Sequence, residues 1–193
     1  MAKCGAGLGL TAYYYFDFRT EAKRVFRGLL SSLLVQLSAR SDSCYDVLSR
    51  LYSRYDKGLR FPDVNVLVGC LKEMLKLPRQ PTVYLIVDAL DECHNFLGAV
   101  PERDRLLKFI VDLVEARLPN LRICVTSRPE ADIQDVLESL APDTVSLHDE
   151  NGQRKDIDDY IIYVVHSDRT MQKWRADDKK LVIDTLSQRA NGM

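Results

Sequence analysis

The 193-residue chain predicts a three-layer α/β domain with a mostly parallel sheet, and three observations carry that prediction. Apolar runs of strand length alternate with longer stretches whose apolar residues recur at helical spacing, the pattern of strand–helix–strand units. One run, Val83–Val87, is apolar throughout, as in a strand buried on both faces. The two clearest runs stop at polar clusters: Asp88 with Asp91 and Glu92, and Thr126 with Ser127 and Arg128. In open α/β sheets, ligands bind outside the carboxyl ends of such strands.

The elements follow in order. Residues 1–11 carry Gly5, Gly7 and Gly9 and read as a flexible tail. No Lys-Ser or Lys-Thr pair follows these glycines, so they lack the G-x-x-x-x-G-K-[ST] pattern that wraps phosphate in backbone N–H groups. Tyr13–Phe18 is an aromatic strand, with Asp17 and Arg19 at its end. Thr20 is placed to cap a helix over 21–39, whose stripe is Val25, Leu29, Leu30, Leu33, Leu34 and Leu37. A helix over 43–55 carries Val47, Leu48, Leu51 and Tyr52. Its tyrosines and arginines could form a stacking face for nucleic acid, but the near-neutral chain favours a packing helix. Gly58 and Pro62 mark a loop, and Asp63 caps a helix to Leu77. After the strand 82–88 and its acidic loop, a helix runs from Pro101–Arg105 to Arg117 on Leu106, Phe109, Ile110, Leu113 and Val114. Leu121–Thr126 is the next strand. A short helix over 130–139, a strand over 143–147, a polar turn over 148–153 and helices over 156–166 and 177–190 complete the chain.

Composition limits the function. Hydrophobic residues make up 46% and charged residues 28%, with a net charge of -1. That is ordinary globular composition without the basic excess of a nucleic-acid binder. No apolar run approaches the ~18 residues of a membrane span, and Met1–Leu10 is no secretory signal. Neither nucleic acid nor membrane is expected as a partner. Five cysteines (Cys4, Cys44, Cys70, Cys93, Cys124) without a C-x-x-C pair suggest buried thiols in a reducing compartment. Cys93 and His94 are neighbours, but two residues do not fill a four-ligand shell.

The acids admit two readings. Asp88, Asp91 and Glu92 suit a hydrated Mg²⁺ and an attacking water, or they form a solvated loop after a core strand. Ser127 and Arg128 suit a phosphate. Alternatively they belong to a helix-start turn, with Pro129 in the first helical position and Arg128 paired to Glu92 or Asp91.

The segment Tyr84–Cys93, Y-L-I-V-D-A-L-D-E-C, resembles the extended Walker B motif of NACHT-type (STAND) P-loop NTPases. The likeness is to the nephrocystin-3-like N-terminal domain of large fungal receptor-like proteins. Tyr13–Arg19, Arg27–Leu37, Ile123–Glu130 and Ala190–Met193 match in the same order, so the resemblance spans roughly 12–193. It implies a P-loop NTPase-like fold, Mg-ATP as cofactor and a cytoplasmic signalling role through protein partners or self-association. It also implies that Asp88 holds Mg²⁺ through water, that Asp91 or Glu92 orients or deprotonates the attacking water, and that Ser127 and Arg128 meet the γ-phosphate. In the family a phosphate loop, a first strand and a first helix precede the strand like Tyr13–Phe18. This chain therefore reads as a truncated core over 12–150 without Walker A, followed by a helical region over 151–193 that is cut short.

By the family's strand order the missing strand is central, between 121–127 and 143–147. The last strand then closes the gap, residues 4–11 substitute, or a partner is needed. Phosphoryl transfer rests on positioning and neutralising the triphosphate. Without the cradle the expectation is weak or absent ATP binding and no useful hydrolysis, in a non-catalytic module or a gene fragment. The alternatives are a working NTPase whose phosphate loop is supplied elsewhere, and an unrelated α/β scaffold whose acids bind only a divalent cation.

Overall fold

Three parallel strands, β1 (Leu10–Tyr15), β2 (Val83–Asp88) and β3 (Leu121–Val125), lie side by side in chain order. They are seen in a computed structural model that describes residues 9–95, 101–141, 143–145 and 151–189. Leu10 aligns with Val83 and Val83 with Leu121, so the carboxyl ends of all three strands meet at one edge of the sheet. The chain divides into two compact units between Ala141 and Pro142, and the sheet belongs to the first.

The β1–β2 connection contains α1 (Phe26–Ser38), α2 (Asp42–Arg54) and α3 (Val64–Leu75); the β2–β3 connection contains α4 (Glu102–Glu115). Both connections step the same way across the sheet. Right-handed crossovers that step one way put their helices on one face, and burial agrees. Ala12, Tyr14, Val83, Leu85, Val87 and Leu121 are buried in one core with Leu29, Leu33, Leu71, Leu106 and Ile110. Tyr13, Tyr15 and Tyr84 alternate with them and are exposed, as is Cys124. The sheet is parallel and its connections are helical, as the alternation predicts. Alternation places a helix between strands but does not say which way each crossover steps.

Close packing fixes α1 against β1. A Cβ on Gly28 would stand 2.5 Å from Tyr14 Oη and 2.7 Å from Ala22 O, so only glycine lets the helix approach this closely. Gln36 of α1 reaches the open edge of β1. Its amide oxygen accepts from the Tyr13 N–H at 3.1 Å and its Nε2 donates to the Tyr13 carbonyl at 2.7 Å. That side chain stands in for a neighbouring strand.

Several boundaries differ from those the sequence predicts. β1 begins at Leu10, whose N–H donates to Thr82 O at 2.7 Å, so pairing with β2 takes in part of the expected tail. Thr20 does not cap α1. A 3-10 turn at Glu21–Lys23 intervenes, and the Phe26 N–H donates to Glu102 of α4 at 2.9 Å. Asp63 does cap α3, accepting from the Asn65 N–H at 2.6 Å. Ala131, not Pro129, takes the first helical position of α5 (Ala131–Leu137), with Glu130 before it. Asp143–Val145 lie in no strand; the rest of the expected strand, 146–147, lies outside the described residues.

The second unit contains α6 (Asn151–Ser167), a 3-10 turn at Met171–Lys173 and α7 (Ala176–Arg189). α6 starts within the polar stretch expected to be a turn. Asp168 sets the link, accepting from the backbone N–H groups of Thr170 at 2.7 Å and Met171 at 3.3 Å. Among the described residues no helix is long and apolar enough to cross a membrane.

Candidate functional site

The predicted site residues come together at the carboxyl edge of the sheet. Asp88 ends β2, and Ala89 takes a left-handed conformation (φ 54°, ψ 50°) that reverses the chain into a 3-10 turn at Leu90–Glu92. That conformation costs an L-residue about 1–2 kcal/mol. Leu90 is completely buried, which contributes about 2 kcal/mol. The turn is also stitched to β3: Ala89 N–H donates to Thr126 Oγ1 at 3.1 Å and Leu90 N–H to Thr126 O at 3.0 Å. The kink presents Asp91 and Glu92 to the ends of the neighbouring strands.

Each carboxylate has its own partner. Asp88 accepts from the Thr126 hydroxyl. Asp91, 8% exposed, accepts from the Arg128 N–H at 3.1 Å and lies 3.5 Å from Ser127 Oγ. The Arg128 guanidinium stands 3.6 Å from Asp91 and is 79% exposed. Glu92 accepts from the Phe18 N–H at 2.7 Å, beyond the end of β1. Asp88 and Asp91 thus join β2 to β3, and Glu92 joins it to β1. Of the two partners considered for Arg128, the structure selects Asp91.

Arg103 was missed in the sequence. It is 5% exposed at the start of α4. One guanidinium nitrogen serves Glu130 and Asp132; the other serves the carbonyl oxygens of Asp91 and Cys93. A buried cation with four acceptors holds the acidic turn to the start of α5. Its Nε has no partner among the described residues. A signal existed: Leu106, Leu107 and Ile110 belong to the buried stripe of α4, and one helical turn back from Leu106 and Leu107 lands on Arg103.

Metal and cofactor chemistry can be tested on these groups. Among the described residues no group of three or more His, Cys, Asp or Glu is placed to hold a metal ion. Burial pushes the Cys93 thiol up to about 12, with Glu102 adding to the shift, so it stays protonated. Neighbouring His94 has Nε2 2.9 Å from Glu21 Oε2. Cys44 and Cys70 are buried free thiols, whereas Cys124 is exposed. Arg19 pairs with Asp17 at 3.0 Å, and Arg128 faces Asp91. Arg19 and Arg128 thus face carboxylates, and Asp88, Asp91 and Glu92 accept from Thr126, Arg128 and Phe18.

A comparison with family models matches residues 3–128 to the family described as nephrocystin 3, N-terminal. No curated protein and no solved structure matches. The match runs through β1, β2 and β3 to Arg128 and takes in the whole acidic turn, well over half of the chain, and the chain therefore belongs to the nephrocystin 3 N-terminal family.

Proposed function

We propose that this chain is a NACHT-type, P-loop NTPase-like module in which the Walker B-like acids serve the fold, and that it acts in signalling or assembly through protein contacts rather than by hydrolysis. The observation that carries the reading is the commitment of Asp91 and Glu92 to the backbone N–H groups of Arg128 and Phe18. A carboxylate that holds two strand ends together is poorly free to orient water. The 193 residues also contain no G-x-x-x-x-G-K-[ST], the pattern whose lysine and backbone carry a triphosphate.

One observation favours the alternative, a nucleotide-binding module whose phosphate loop comes from elsewhere. The Arg128 side chain is largely exposed and 3.6 Å from Asp91, so it can turn to an incoming phosphate at little cost. Titration calorimetry with Mg-ATP separates the two. The purified chain should show no binding, while a version with a phosphate loop and first strand added ahead of β1, before Leu10, should bind. Micromolar binding by the chain itself would overturn the proposal.

A further inference from the structure

The turn between α2 and α3 carries two bulky apolar side chains into solvent: Leu59 is 85% exposed and Phe61 87%. The segment is nevertheless firmly built. Asp56, Lys57 and Gly58 all have positive φ, at 51°, 53° and 90°, which is costly for Lys57. Arg60 Nε donates to Asp56 at 2.5 Å, Arg60 Nη2 to Arg54 O at 3.3 Å, and the guanidinium lies over the Tyr55 ring at 5.8 Å. Gly58 packs on Tyr52, where a Cβ would come within 3.1 Å of the ring. Arg27 Nη1 donates to Pro62 O at 2.8 Å. These ties set the direction of Leu59 and Phe61, and the fold itself buries neither.

Charge says what should meet them. Between Arg54 and Pro62 there are three cations, Arg54, Lys57 and Arg60, and one carboxylate, Asp56. All four are exposed. The next acid, Asp63, is exposed too and caps α3, where its charge meets the helix N-terminus. Apolar tips among cations match an anionic lipid interface, where the tips enter the acyl boundary and the cations stay with the headgroups. Two single side chains on a tight turn suit a deformable surface. We propose that the turn at residues 55–62 docks this chain reversibly on an anionic lipid surface, with Leu59 and Phe61 inserted and Arg54 and Lys57 against the headgroup phosphates. This is peripheral contact, distinct from a membrane-spanning helix, and it is independent of nucleotide binding.

The test is co-sedimentation of the purified chain with phosphatidylcholine vesicles containing roughly one-third phosphatidylserine. The chain should partition onto these and much less onto phosphatidylcholine alone. L59S with F61S should lower partition about tenfold or more with no change in thermal midpoint, because both side chains are exposed. Lys57→Glu should weaken binding at low salt and matter little at high salt. Failure to bind phosphatidylserine vesicles, or partition that the double variant retains, overturns the proposal. So does self-association through Leu59 and Phe61 without vesicle binding, which would assign the turn to a protein contact.

Discussion

Glu92 shows at the scale of one residue how a catalytic-looking acid can be told from a structural one. Its carboxylate accepts the Phe18 N–H at 2.7 Å, and an amide oxygen in the same place accepts equally well. Glu92→Gln should therefore keep stability within about 0.3 kcal/mol, whereas Glu92→Ala should cost about 0.5–1 kcal/mol by giving the N–H to water. Urea unfolding midpoints of the two variants test this. A loss in the glutamine variant equal to that in the alanine variant would show that charge, not the hydrogen bond, is what matters. Asp91 follows the same logic at the Arg128 N–H. There the exposed guanidinium contributes little, as surface ion pairs do.

At the scale of elements, Gln36 has the clearest consequence. The outer edge of β1 turns its Tyr13 N–H and C=O away from β2, and the Gln36 amide takes both. Covering an edge strand in this way withholds it from pairing with other chains. Gln36→Ala should lower stability by about 1 kcal/mol and speed hydrogen exchange at the Tyr13 amide severalfold. Unchanged exchange at that amide would remove the capping role. Gln36 also marks where sequence reading stopped. Periodicity located α1, α3, α4 and β2, and the Asp63 cap was legible because its hydrogen bond closes within two residues. Spacing likewise placed Asp88, Asp91 and Glu92 at a strand end. The pairing of Arg128 with Asp91 was among the readings the sequence offers, but the partners of Glu92 and Asp88 were not legible, because Phe18 lies 74 residues from Glu92 and Thr126 lies 38 from Asp88. Such pairings depend on which strands become neighbours, and local pattern carries no record of that. Thr20 failed as a cap for the same reason: Glu102, 76 residues away, satisfies the α1 N-terminus.

The whole first unit is secured along one line, the carboxyl edge of its sheet. Thr126, Phe18 and Arg128 tie β1 and β3 to the acidic turn, Arg103 ties that turn to the start of α5, and His94 ties the chain beyond it to the 3-10 turn after β1. In the last link the His94 N–H donates to Arg24 O at 2.9 Å, and the ring meets Glu21 at 2.9 Å. The hydrogen bond to His94 holds the Glu21 carboxyl below its ordinary 4.5, against desolvation and with help from the charges of His94 and Arg24. Arg24 is 3.9 Å away. A carboxyl lowered in the folded state contributes stability above its unfolded value and loses it as pH falls through the folded one. Wild type should therefore be more stable than Glu21→Gln at neutral pH, and the difference should shrink as pH drops below about 4.5 toward 3. Thermal midpoints of the two proteins across that range provide the measurement. A gap that stays constant into acid would mean that Glu21 holds this edge by packing and not by charge. The edge would then rest on Asp91, Glu92 and Arg103, whose partners include backbone groups that do not titrate.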